Sequence, residues 1–116
     1  MTHAELHQLP VAQKLLELLP DFEDTKDWSG CSTDFRPNID YRKQFGPVYV
    51  HATLRLQDDG GDPYPVVDLT ASLKPAEYAD PAPIAEVFSI YPHRHDKLEQ
   101  LMYWAIDTVQ AVPFPI

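Results

Sequence analysis

Two stretches of period two, PVYVHATLRLQ at 47–57 and YPVVDLTASL at 64–73, constrain this chain more than anything else in it. In the first, Val48, Val50, Ala52, Leu54 and Leu56 fall on one side. Tyr49, His51, Thr53, Arg55 and Gln57 fall on the other. In the second, Val67, Leu69, Ala71 and Leu73 share a side. Successive side chains of a strand point to opposite faces, so this alternation predicts two half-buried strands. The intervening DDGGD supplies the Gly and Asp that tight loops favour. The pair therefore predicts an antiparallel hairpin with one apolar face that something must cover.

The flanks supply the cover. Thr2 and Glu5 have capping-box spacing, in which each side chain serves the other's backbone amide. Pro10 interrupts that short helix and suits the first position of a second one. Val11, Ala12, Leu15, Leu16 and Leu19 then form an apolar stripe, which Pro20 ends. Near the other terminus Leu98, Leu101, Met102, Ala105, Val109 and Val112 repeat at helical spacing, widened by Tyr103, Trp104 and Ile106. The prolines of the tail VPFPI bar its continuation as helix.

Three segments between are less regular. DFEDTKDWSGCSTD, 21–34, shows neither helical nor strand period and reads as an acidic loop. FRPNIDYR reads as a short edge strand, since proline cannot donate to a ladder. PAEYADPAP at 75–83 is a connection, and the apolar IAEVFSIY after it favours a strand. The expectation is an α+β fold forming a single domain over residues 1–116. It has an N-terminal helical segment, a three- to four-stranded antiparallel sheet built on the 47–73 hairpin, and a C-terminal helix packed on the sheet. Val48, Val50, Leu54, Leu56, Val67 and Leu69 are expected to meet Leu98, Leu101, Met102, Ala105 and Val109 in its core.

Composition enters where location and partners are concerned. A chain of 116 residues, 44% hydrophobic, can bury a core without a disulfide staple. The single cysteine, Cys31, fits a reducing compartment. The start MTHAELHQLPVAQ lacks the basic and apolar parts of a signal peptide, and no window has the length of a membrane span. A cytoplasmic location is expected. Net charge is −9. Residues 1–40 contribute eight acids and three bases, and residues 76–116 six acids and two bases. Such a surface repels phosphate backbones, which disfavours direct nucleic-acid binding, and attracts a basic protein. Plain solubility is the competing explanation of the same charge.

The chemistry-bearing residues are sparse. IYPHRHD at 90–96 concentrates two histidines. His93 and His95 would share a face of an extended segment, and with His51 they are candidate metal ligands. Asp96 followed by Glu99 has capping-box spacing, so the stretch also reads as the start of the last helix. DDGGD has acidic oxygens but lacks the EF-hand order, so a hairpin loop explains it. Cys31 lies in no hydrolase signature, and GxSxG, P-loop and GxGxxG motifs are absent. No cofactor is implied.

The leading expectation is a small acidic, non-enzymatic protein-binding or inhibitory module of the immunity, antitoxin or phage-modulator kind. It would engage a basic partner through Asp21, Glu23, Asp24, Asp27 and Trp28. One alternative is a metal-binding protein or small enzyme using His93, His95 and His51. Another is a homo-oligomeric subunit, such as a homodimer, joined through Tyr103, Trp104 and Phe114, where aromatic anchors are common.

Overall fold

The computed structural model describes residues 2–27, 36–57, 60–73 and 84–111, the side chains of Lys26, Asp27 and Ile84 aside. Cys31, Trp28, Asp58, Asp59, Phe114, the rest of the expected loop to residue 34, the 75–83 connection and the VPFPI tail lie outside the described residues. In chain order the elements are α1 (His3–His7), α2 (Pro10–Leu18), β1 (Asp21–Asp27), β2 (Arg36–Phe45), β3 (Val48–Gln57), β4 (Tyr64–Leu73), β5 (Ile84–Ile90), a 3-10 helical turn (Pro92–Lys97) and α3 (Leu98–Ala111). The five strands form one antiparallel sheet in the order β1-β2-β3-β4-β5. The α+β architecture with a C-terminal helix on the sheet is as expected; the sheet has one strand more than the upper expectation.

The central hairpin forms in the register that the alternation demands. Leu54 lies opposite Val67, Ala52 opposite Leu69 and Val50 opposite Ala71. Along β3, buried and half-buried residues alternate without exception. The buried set joins Leu6, Val11, Ala12, Leu15 and Leu19 from the N-terminal helices in one core with Leu98, Met102, Ala105, Ile106 and Val109 from α3. Both helical segments therefore cover the same sheet face. Each fully buried aliphatic side chain here contributes about 1.5–3 kcal/mol of transfer free energy. Leu101, expected within the core, packs at its margin half-buried. Leu16, expected in the α2 stripe, faces outward.

Local signals at the N-terminus work as the residues suggest. The Thr2 hydroxyl accepts from the Glu5 amide at 3.2 Å, and the Glu5 carboxylate accepts from the Thr2 amide at 3.1 Å. Pro10 is the first residue of α2, where its missing amide proton costs nothing. Lys14 of α2 reaches Glu99 of α3 at 3.2 Å. Both side chains are more than a third exposed, so that pair is worth about 0–1 kcal/mol.

Three sequence expectations need correction. Residues 21–27 are not loop but strand β1, paired residue for residue with β2 from Asp21–Arg42 to Asp27–Arg36. A polar edge strand carries little apolar period, because the hydrogen bonds of its neighbour hold it. Next, β2 is not a short edge strand but a ten-residue interior one. Pro37 lies at its second position, opposite Lys26 of β1 and before the ladder with β3 begins at Ile39. The turn from β2 into β3 is Gly46–Pro47, with Gly46 at φ +60°, which glycine adopts without strain. Lastly, Asp96 does not cap the final helix. The chain enters it through the 3-10 turn, whose first residue is Pro92 and whose preceding residue, Tyr91, makes no side-chain cap.

Candidate functional site

The sheet has two unlike faces. The helices cover the face of Val50, Leu54 and Leu69. On the other face stand separate polar clusters, spread from β1 to β5. Glu23 on β1 accepts from Arg42 on β2 at 3.2 Å. Asp40 on β2 accepts from the Thr53 hydroxyl at 2.9 Å and lies 3.5 Å from His51 Nε2. Asp68 on β4 accepts from Arg55 Nε at 2.6 Å and from Arg55 Nη2 at 3.4 Å. Arg55 Nη1 also donates to Gln57 at 3.0 Å. The register sets Glu23 opposite Asp40 and Arg55 opposite Val66, so the charge pairs Glu23–Arg42, Asp40–His51 and Arg55–Asp68 form diagonally, within reach of long side chains.

Asp68 does more than pair with Arg55. Its Oδ1 also accepts from the Ser89 backbone amide at 2.9 Å, and Arg55 Nη2 donates to the Ser89 hydroxyl at 3.3 Å. Here the β4–β5 register shifts, between the Val67–Ile90 and Leu69–Val87 pairs. Ser89 sits at φ +56°, a left-handed conformation that L side chains rarely adopt. The bulge is thus held by one carboxylate that neutralises an arginine and takes an amide lost to the ladder.

β1 distributes the expected acidic residues over both faces. By alternation Asp21, Glu23 and the Asp27 position lie on the polar face, while Phe22 and Asp24 lie on the helix side. Asp21, Phe22, Glu23 and Asp24 are all exposed. Asp24 accepts from His7 Nε2 at 2.7 Å, and the His7 ring meets Phe22 edge to face at 5.1 Å. His3, one turn earlier on α1, donates from Nε2 to the Thr25 carbonyl at 2.7 Å. The i, i+4 histidines of α1 therefore clasp the edge strand from one side. Beneath them the Tyr41 ring is fully buried, and its hydroxyl has no hydrogen-bond partner among the described residues. Burial, with the Asp24 carboxylate adding to it, pushes the Tyr41 phenol up to about 12.

The histidines singled out in the sequence have different contacts. His51 is on β3 beside Asp40. His93 stacks on Tyr91, their planes 9° apart with centroids at 6.1 Å. His95 Nε2 donates to the Ile90 carbonyl at 3.1 Å. Burial lowers the His95 pKa; the Ile90 hydrogen bond opposes that shift, and neighbouring His93 adds to it. Among the described residues no three His, Cys, Asp or Glu side chains form a group that could hold a metal ion. Tyr103 and Trp104 are both exposed on α3, at 48% and 52%, on positions that turn about 100° apart. No described helix is long and apolar enough to cross a membrane.

Sequence reasoning missed two parts of this surface. The Arg55–Asp68–Ser89 network left no motif, because its members come from three strands. The β2–β3 turn did leave one, the Gly46–Pro47 dipeptide, which marks turns strongly. No family model matches the chain, and neither does any curated protein or solved structure.

Proposed function

We propose that this chain is a non-enzymatic protein-binding module, of the inhibitory or modulator kind, that engages a basic partner through the acidic side chains of β1. One observation supports the reading: Asp21, Glu23 and Asp24 stand exposed within four residues of β1, at the end of the described strand order. Their present partners are easily exchanged. The Glu23–Arg42 pair is exposed on both sides and is worth about 0–1 kcal/mol in water. A partner's lysine or arginine can replace Arg42 at little cost while adding charge that the −9 chain attracts. Asp27 and Trp28 belong to the proposed surface as its continuation along the chain.

The test is association with a lysine-rich peptide at low and high ionic strength, for the parent and for the triple variant Asp21→Lys, Glu23→Lys, Asp24→Lys. Charge docking predicts steep weakening with salt and a loss of at least about tenfold on reversal, since each tenfold is only about 1.4 kcal/mol. Equal affinity of parent and variant rejects this surface. Trp28→Ala, made separately, tests the expected aromatic anchor.

A second reading has its own observation. The exposed Tyr103 and Trp104 on α3 suit a homodimer contact, with Phe114 of the tail as a further candidate. Sedimentation of the parent and of Trp104→Ser decides it: a dimer that the substitution dissociates supports it, and a monomeric parent rejects it.

A further inference from the structure

The sheet has two edges, and they differ. β5 is closed to strand addition along its later half. Its register shifts between Val67 and Leu69, and Ser89 sits at φ +56°. Its Ser89 amide is spent on the Asp68 carboxylate. A bulge of this kind is a common protection of edges. β1 has no such interruption: seven consecutive residues pair with β2 in a single register. Its outer side pairs with no other described strand.

The side chains of β1 determine which strand can approach. Asp21 and Glu23 face one way, and Phe22 and Asp24 the other. A second copy of β1 would set acid against acid, which destabilises a cross-strand pair. A basic segment would set opposite charges together on both faces. His3 already holds the Thr25 carbonyl, and Thr25 is half-buried while Asp21 through Asp24 are exposed. The more accessible stretch is therefore the Asp21–Asp24 half, where His7 and Arg42 hold the Asp24 and Glu23 side chains.

We propose that β1 binds an extended basic segment of its partner by strand addition at Asp21–Asp24, with alternate lysine or arginine side chains opposite Asp21 and Glu23. This rests on the acidic-docking reading and makes it specific. Main-chain hydrogen bonds give such complexes affinity, and alternate side chains give them selectivity. Phe22 offers the segment's other face a ring to pack against, exposed at 49%.

The experiment uses the full chain and two synthetic probes of about eight residues, a strand's length. One is an alternating Lys-Thr peptide. The other is the same peptide methylated at every backbone nitrogen, which keeps charge and length but has no amide donors. The expected result is at least about tenfold weaker binding of the methylated probe. Slowed hydrogen exchange of β1 amides should accompany the unmethylated one. Equal binding of both probes, lost together in the Asp21→Lys, Glu23→Lys, Asp24→Lys variant, would overturn strand addition and leave acidic docking standing. Equal binding of both probes to parent and variant, or no binding of either, would overturn both.

Discussion

Removing the Asp68 carboxylate tests the bulge more sharply than any other change. In Asp68→Ala, Arg55 loses its 2.6 Å and 3.4 Å contacts and the Ser89 amide loses its 2.9 Å acceptor. The ion-paired side chains are 26% and 23% exposed, between a surface pair and a buried one. A surface pair contributes about 0–1 kcal/mol and a charge-assisted hydrogen bond about 1.5–3 kcal/mol, so the Arg55 part is about 1–2 kcal/mol. An amide left without an acceptor adds about 1 kcal/mol. The sum expected is about 2–3 kcal/mol, read as a shift of the urea midpoint at unchanged slope. For a domain of this size that lowers Tm by about 8–12 °C. Asp68→Asn keeps an acceptor for Ser89 but surrenders the charge, and should cost about half as much. A double-mutant cycle with Arg55→Met should return a coupling of about 1–2 kcal/mol. If Asp68→Ala stays within about 0.5 kcal/mol of the parent, the carboxylate does not hold the bulge and the reasoning fails.

Tyr41→Phe should be neutral or stabilising by up to about 1 kcal/mol, against the usual trend for core changes, because it deletes a buried hydroxyl with no partner among the described residues. Phenolate absorbance should show one tyrosine ionising only at about pH 12. Because that folded-state value lies above the ordinary 10.0, the associated stability is intact below pH 10 and lost as pH rises through the window to about 12. For His95 the sign is opposite: its lowered pKa means that the unfolded chain binds the proton more readily, so stability falls as pH drops below the ordinary histidine value of 6.5. In His95→Gln, denaturation midpoints measured across that range should fall less steeply than in the parent; an unchanged pH slope rules the histidine out as a contributor. Leu54→Ala, at a fully buried position of the central strand, should cost about 2–5 kcal/mol by urea denaturation, and a loss below about 1 kcal/mol would show that the site is not core.

How legible the molecule was in its sequence depended on the range of the cause. The β3–β4 hairpin was readable because ten successive residues repeat one instruction, and a slip of one position would turn Val50, Leu54 and Leu69 to the wrong face. The Thr2–Glu5 box and Pro10 were readable because both partners lie within one helical turn. Asp96 misled for the same reason: its spacing to Glu99 is right, but Pro92 starts a 3-10 turn earlier and the capping position passes to Tyr91. For the candidate surface, the acidic residues themselves were evident. That they form an edge strand was not, because DFEDTKD has almost no apolar period and is held by the amides and carbonyls of β2.

The sequence by itself determined the class of fold, the covered face of the sheet and most of its core. These follow from periodicities of two and 3.6, which are properties of the local backbone. Only the tertiary structure decided that Asp21 and Glu23 face away from Asp24, that Asp24 meets His7, and that His51 lies beside Asp40 while His95 meets the Ile90 carbonyl. It also decided that Asp68, Arg55 and Ser89 converge to lock one edge while the other stays regular. The contacts among them join residues 13 to 34 positions apart in the chain. Strand order, register and the packing of α1 bring them together, and none of these is written in the spacing of the residues concerned.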